Sequence, residues 1–375
     1  MDTRYQQLAQ LLVGYSTKVG RGDLVLLQTD ITTPHAMNVA LCDAVREKGG
    51  VLLDPIITDP RLTAVTRKGC TERSLRVDAA SMLMRYLAAD VNLVIGGKGN
   101  PFEPSALPAA DATLVNSIYT RFTLGERVDS SRWVLTRWPT PGFAQLAGLS
   151  TDAAEEMFFA ACLADYEKMA RHVSPLHSLM LHTDKVEIIG PGTNLAFSIK
   201  GIDVVPCTGG CNVPDGECFT APVRDSVNGT IQYNTLTITK SGDRFEGVGF
   251  EVHDGKIVRS WCKNGDPSRI ERMLDTDEGA RYFGEFSLGL NWGITRIIGD
   301  TLFDEKVGGT FHLTPGKSYD DAPNGNTSGI HWDIVCDQRE AAGGGEIWFD
   351  GTLIRRDGLF VIGELEALNP AHSND

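Results

Sequence analysis

Six side chains in the later half of the 375-residue sequence have the donor types used in metal chemistry. They are Glu217 in "NVPDGECFTAP", Glu285 in "YFGEFSLGLN", Glu305 in "TLFDEKVGG", His312 in "GTFHLTPGKSY", and His331 with Asp333 in "SGIHWDIV". Each stands among apolar residues or glycines, where a charge is costly unless it is paired or binds a cation. Taken singly, a glutamate after a turn is ordinarily solvated, and a histidine on a strand is ordinarily a satisfied core residue. Four carboxylates and two imidazoles together suit Zn²⁺, Co²⁺ or Mn²⁺, and they suffice for two ions that share a carboxylate. Such a pair activates a water while polarising a carbonyl.

In "SGIHWDIV", Ile330, Trp332 and Ile334 alternate with His331 and Asp333. This is the period of a β-strand with one apolar and one polar face. The expectation is that the isoleucines and tryptophan enter the core while His331 and Asp333 face a metal.

The elements that must position these groups fall into two rhythms. The first half alternates strand and helix. "LVLLQT", "VLLDPII" and "VNLVIGG" are short apolar runs, and "RYQQLAQLLVGYSTKV" and "ERSLRVDAASMLMRYLA" have helical spacing. Thr33-Pro34 reads as an N-cap followed by proline at the first helical position. "AEEMFFAACLADYEKMARHV" reads as one long helix closing this half. The pattern predicts an α/β domain over residues 1–175 with a largely parallel sheet. From residue 176 to 375, strand-like runs separated by Gly, Asn and Asp turns predict a mostly antiparallel β domain carrying the metal site. "SGDR", "HDGK" and "RRDG" are hairpin signals, and Asp266-Pro267 caps a helix over "SRIERMLDTDEGAR".

Composition excludes several classes. A net charge of −14 disfavours nucleic acid and anionic membranes as partners. No apolar run approaches the ~20 residues that span a bilayer, and the start "MDTRYQQLAQ" lacks the order of a secretory signal, so a cytoplasmic protein is expected. Eight cysteines over this length are expected as reduced, mostly buried thiols. No phosphate-binding glycine loop follows a predicted strand.

The motifs "NVPDGECFTAP", "MLDTDEGARYFGEFSLG", "TLFDEKVGGTFHLTPGKSY" and "IHWDIV" resemble, in order and spacing over roughly residues 205–360, the thermophilic-type metallo-aminopeptidases of the aminopeptidase T and aminopeptidase S family. A weaker likeness covers the first half. The resemblance implies a homodimeric enzyme that removes N-terminal residues from short peptides with two divalent ions. It implies Glu217 as a ligand, Glu285 as the bridging ligand, and Glu305, His312, His331 and Asp333 as the rest of the set. It also implies Tyr319 as a hydrogen-bond donor to a developing oxyanion. Glu305 and His312 lie seven apart, wider than the family's pattern, with Asp304 as the neighbouring substitute; the stretch "KVGGT" is expected to be flexible enough to absorb the difference. Similar proteins include iron(II) dioxygenases that open a 2,5-dihydroxypyridine ring. His312, His331 and Asp333 alone match a two-histidine, one-carboxylate Fe(II) site, so a mononuclear dioxygenase is the alternative.

Overall fold

The apolar runs of the first half form a parallel sheet. In the computed structural model, which describes residues 2–97, 99–100, 102–120, 130–239 and 241–370, Leu24–Asp30 lies between Val51–Leu52 and Val91–Gly96. Arg132–Arg137 and then Asn212–Val213 extend the sheet, and Ile56–Thr58 pairs with the far end of Leu24–Asp30. Every pairing is parallel. The two central strands are buried along most of their length, as a sheet covered on both faces requires. This α/β unit comprises Met1–Leu163, Gly209–Pro214 and Lys240–Gly242.

Local chemistry moved several helix ends. Thr33 does not cap; Pro34 is the N-cap residue of the His35–Glu47 helix and has no side-chain capping bond. Thr71 does cap Glu72–Ala88, with Ser74 reciprocating. The long helix expected over "AEEMFFAACLADYEKMARHV" is two helices, Thr151–Cys162 and Tyr166–His182. Asp165 separates them by accepting from the Lys168 amide, a capping bond that starts a new helix. The second of these helices belongs to the second unit. Likewise Asp266 caps a helix that ends at Leu274 rather than running through "DEGAR".

The second unit comprises Ala164–Thr208, Asp215–Thr239 and Asp243–Asp375. It contains an eight-stranded and a five-stranded sheet, and their strands pair antiparallel throughout. Asp-Gly turns with positive φ at both residues, Asp254-Gly255 and Asp357-Gly358, close the hairpins expected at "HDGK" and "RRDG".

The five-stranded sheet carries the candidate site. Its strands are β1 (Val205–Cys207), β2 (Glu217–Thr220), β3 (Phe283–Gly289), β4 (Thr310–Pro315) and β5 (Val335–Asp337), in spatial order β5-β4-β3-β2-β1. All of β3 and β4 is buried. On one face Cys218, Phe286, Leu288, Phe311 and Leu313 join the core shared with Val186, Ile188, Leu195 and Phe197 of the larger sheet. Phe197 and Phe286 meet edge to face at 5.0 Å between ring centroids. Each such side chain contributes about 1.5–3 kcal/mol of burial, which holds the strands in register.

Among the described residues, no helix is long and apolar enough to cross a membrane. None of the eight cysteines is in a disulfide. Only Cys162, Cys218 and Cys336 are fully buried, and Cys211 is exposed, so "mostly buried" overstated their burial.

Candidate metal centre

Cross-strand partners point to the same side of a sheet. Glu217 pairs with Gly289 and Cys207, Ser287 with Phe219 and His312, and Glu285 with Thr314. Glu217, Glu285, Ser287, His312 and Thr314 therefore share the face opposite the aromatic core. A β-bulge makes this possible. Phe283 pairs with Pro315 and Glu285 with Thr314, so β3 spends two residues where β4 spends one. Phe283 faces the core, and the extra residue, Gly284, turns Glu285 to the other side. A Cβ on Gly284 would lie 2.3 Å from the Lys317 carbonyl oxygen, so the bulge needs glycine.

The expected strand over "IHWDIV" is not a strand. His331 makes an isolated antiparallel bridge with Gly316, and regular pairing begins only at Val335. The segment still runs alongside β4, through hydrogen bonds from the Trp332 amide to the Pro315 carbonyl and from the Lys317 amide to the Ile330 carbonyl. Trp332 and Ile334 enter the core, Ile330 stays only half-buried outside it, and His331 and Asp333 face the other way.

The six candidate ligands converge. Glu217, Glu285 and His312 offer donor atoms within 4.8 Å of one another, as do Glu285, His331 and Asp333, and as do Glu305, His312 and Asp333. Glu285 belongs to two of these groups. Its Oε1 lies 3.2 Å from His312 Nε2, and its Oε2 lies 3.1 Å from His331 Nε2. His331 Nδ1 donates to the Lys317 carbonyl at 2.8 Å, which leaves the lone pair on Nε2 in the neutral ring. That Nε2 is 3.1 Å from oxygens of both Glu285 and Asp333, without hydrogen-bond geometry to either. Thr314 donates to Asp333 Oδ1 at 2.8 Å, and Ser287 donates to Glu217 Oε2 at 2.9 Å.

Lys306 was not foreseen. It is 1% exposed, and its Nζ lies 2.5 Å from Glu217 Oε1, 2.6 Å from Glu305 Oε1 and 4.0 Å from Asp215 Oδ1. In sequence it follows Asp304 and Glu305 in an otherwise apolar and glycine-rich stretch, and charge set among such neighbours was the available signal. Asp215 and Cys207 were also missed, and they form a further donor group with Glu217. Asp304 is turned away from the ligand set, with its oxygens accepting the amides of Ile298 and Gly299 at 2.8 and 2.7 Å. The "KVGGT" stretch is packed rather than flexible. Lys306, Val307, Gly308, Gly309 and Thr310 are all buried, and a Cβ on Gly308 would strike Trp292.

The electrostatics are those of a site built for cations. Burial disfavours charge on His312, but the hydrogen bond and charge of Glu285, with Glu217 and Asp333, push its pKa up to about 9. Burial likewise opposes charge on His331, yet Asp333 and Glu285 hold it well above the usual imidazole range. Burial raises Glu305, Lys306 pulls it back, and Glu217 and Asp333 push it up again, to about 8. Glu285 and Asp333 are held low against their burial, chiefly by the two histidines in the first case and by His331 in the second. Tyr319 keeps 45% of its surface exposed, with its ring 4.5 Å from the His331 ring and 5.7 Å from that of Phe219. Packing around the phenol and then the charges of Glu285, Asp333 and Glu305 raise its pKa, so the hydroxyl keeps its proton.

The donor set fits divalent cations. With every carboxyl ionised and both imidazoles neutral, Asp215, Glu217, Glu285, Glu305 and Asp333 bring five negative charges against the ammonium of Lys306, leaving four, which two divalent ions neutralise. Without a cation or proton, the Nε2 lone pair of His331 would face carboxylate oxygens of Glu285 and Asp333.

Residues 1–360 match the family model described as thermophilic metalloprotease (M29). Aminopeptidase 2 of Geobacillus stearothermophilus is 27% identical over 249 residues, which take in 58% of this chain and 58% of that relative's length. The aligned stretch thus spans a little over half of it. Wild-type AmpT from Thermus thermophilus shares the fold, with a TM-score of 0.81 at 22% identity over 96% of this chain and 99% of that one. The 2,5-dihydroxypyridine dioxygenase of Pseudomonas putida KT2440 superposes with a TM-score of 0.61 at 17% identity, over 97% and 99% of the respective chains.

Proposed function

Because the chain belongs to the thermophilic metalloprotease (M29) family, we propose that it is a metal-dependent aminopeptidase that removes N-terminal residues from short peptides. In this reading Glu217, Glu285 and His312 hold one divalent cation, and Glu285, His331 and Asp333 hold the other, with Glu305 completing the set. The supporting observation is the divergence of the two Glu285 oxygens, one toward each histidine. The nitrogen and oxygen donors suit Zn²⁺, Co²⁺ or Mn²⁺. Bound there, such ions lower the pKa of a water and polarise the substrate carbonyl.

The protein's own groups supply the rest. Lys317, through its carbonyl, keeps the His331 lone pair on Nε2. Thr314 fixes Asp333, and Ser287 fixes Glu217. A carboxylate of the site carries a proton from the nucleophile to the leaving amine. Tyr319 Oη, protonated across the working range, donates a hydrogen bond to the oxyanion.

A cytoplasmic homodimer belongs to the same reading. In the α/β unit the helices Pro60–Thr66 and Glu72–Ala88 expose Leu62, Val65, Val77, Met84 and Leu87 at 57–74%, apolar side chains that a contact between copies would cover.

The reading is tested by stripping the protein of metal, adding back Zn²⁺, Co²⁺ or Mn²⁺, and measuring release of the first residue from di- and tripeptides. N-terminally blocked peptides should be inert. No turnover with any of the three ions would overturn the proposal. The dioxygenase shares the fold, which does not fix chemistry. One iron per chain, with oxygen consumed on a dihydroxylated ring, would transfer the assignment to that class.

A further inference from the structure

Lys306 stands inside the candidate ligand set but, as an ammonium, has no lone pair to offer it. Its Nζ bonds one oxygen of Glu217 at 2.5 Å and one of Glu305 at 2.6 Å. The remaining Glu217 oxygen, Oε2, accepts from Ser287 and lies 3.5 Å from His312 Nε2. Glu217 therefore meets any cation with half of its carboxylate, and that half is already shared with a hydroxyl. The Glu285, His331 and Asp333 group is built differently. Its supporting contacts come from neutral groups: the Thr314 hydroxyl on Asp333 and the Lys317 carbonyl on His331.

Resting on the two-cation reading above, we propose that Lys306 is a built-in cation that makes the two metal positions unequal. It weakens the Glu217–Glu285–His312 position and leaves the Glu285–His331–Asp333 position strong. Two effects act together. Lys306 withdraws one Glu217 oxygen from the first position, and its charge repels a second cation at close range. At 1% exposure, solvent and salt screen that repulsion little. The weak position then fills only when free metal is plentiful, so the ambient metal level sets how much of the protein carries both ions.

The full-length protein, stripped with a chelator, is titrated with Mn²⁺ or Zn²⁺ by calorimetry, and bound metal is counted after dialysis. Wild type should give two binding events of unequal affinity. Lys306→Met, close in length but uncharged, should tighten the weaker event by about tenfold or more and leave the stronger nearly unchanged. Lys306→Gln, which keeps a donor without the charge, should act in the same direction and serves if the first variant does not fold. Two equal events in wild type would overturn the proposal without recourse to any variant. So would a weaker event that is unchanged or loosened in the variants. Peptide turnover, measured in parallel, separates the two ideas. Unequal binding without turnover defeats the aminopeptidase reading alone, and turnover with equal sites defeats only the role given to Lys306.

Discussion

Glu285 and His312 face each other diagonally across β3 and β4, with Oε1 and Nε2 3.2 Å apart, although the register pairs Glu285 with Thr314 and His312 with Ser287. The second oxygen of Glu285 reaches His331, which comes from a segment outside the regular sheet. One carboxylate thus joins two imidazoles delivered by different parts of the chain.

Glu285→Gln removes the charge that both histidine groups share while keeping nearly the same shape. Peptide hydrolysis should fall by at least about a thousandfold, the scale of losing several kcal/mol of transition-state stabilisation. Bound metal should drop below two ions per chain in elemental analysis, with far-UV circular dichroism preserved. Near-normal turnover with two ions retained would remove Glu285 from the centre of the site.

Thr314→Val deletes the 2.8 Å hydrogen bond that orients Asp333 and preserves the side-chain volume. Metal affinity should weaken by about 10–100-fold, the usual effect of losing a partner that positions a ligand. Competition against a fluorescent chelator measures this directly, and an unchanged affinity counts against Asp333 as a ligand.

Protons and cations compete for the same nitrogens, which sets a pH window. In metal-free protein His312 is raised from 6.5 to about 9, so its contribution to stability is complete below pH 6.5 and is lost as pH rises through about 9. Glu305, raised to about 8, has the same sign: its contribution is present at low pH and is lost as pH rises through about 8. The Tm of stripped protein should therefore fall between pH 6.5 and 9, and metal should restore it most at the alkaline end. Metal uptake should release protons, and the apparent affinity should rise with pH across that interval. Calorimetry in two buffers of different ionisation enthalpy counts the protons; none released would contradict displacement from His312.

Asp304 and Glu305 are neighbours with opposite assignments, and paired variants separate them. Asp304→Ala strands the buried amides of Ile298 and Gly299, at about 1–3 kcal/mol each, and should appear as lost stability in urea unfolding. Glu305→Gln should instead remove the part of the stripped protein's pH-dependent stability that is lost through about pH 8, and weaken metal binding. The reverse pattern would exchange their roles.

Met84, 74% exposed on the Glu72–Ala88 helix, tests the dimer. Met84→Lys should raise the dimer dissociation constant about tenfold or more in sedimentation if this helix meets its copy. A wild type that stays monomeric at all concentrations excludes that surface as a contact between copies.

Much of the architecture was legible because it rests on period. Continuous apolar runs marked the parallel strands, and Asp-Gly pairs marked hairpins. The alternation of "IHWDIV" separated Trp332 and Ile334 from His331 and Asp333 even though the strand itself did not form. What was illegible depended on three-dimensional neighbours. A helix over "AEEMFFAACLADYEKMARHV" has good propensity throughout, and only the capping bond of Asp165 breaks it. Nothing in the sequence marks Lys306 as a partner of Glu217, which lies 89 residues away along the chain and 2.5 Å away in the fold. The glycines of "KVGGT" suggested freedom, whereas Gly308 is glycine because Trp292 occupies the space a Cβ would need.

The bulge at Gly284 gives β3 something like a reading frame. Beyond it, Glu285, Ser287 and Gly289 look toward the ligands, and Phe286 and Leu288 toward the core. One residue added or deleted just after Glu285 would flip the strand on one side of the change, driving either Phe286 among the carboxylates or Glu285 into the aromatic core. Point changes on this strand alter one contact at a time, but a change in its length would rewrite both faces at once. Natural variation and engineering alike should therefore find β3 closed to insertion, with differences in length confined to the turns.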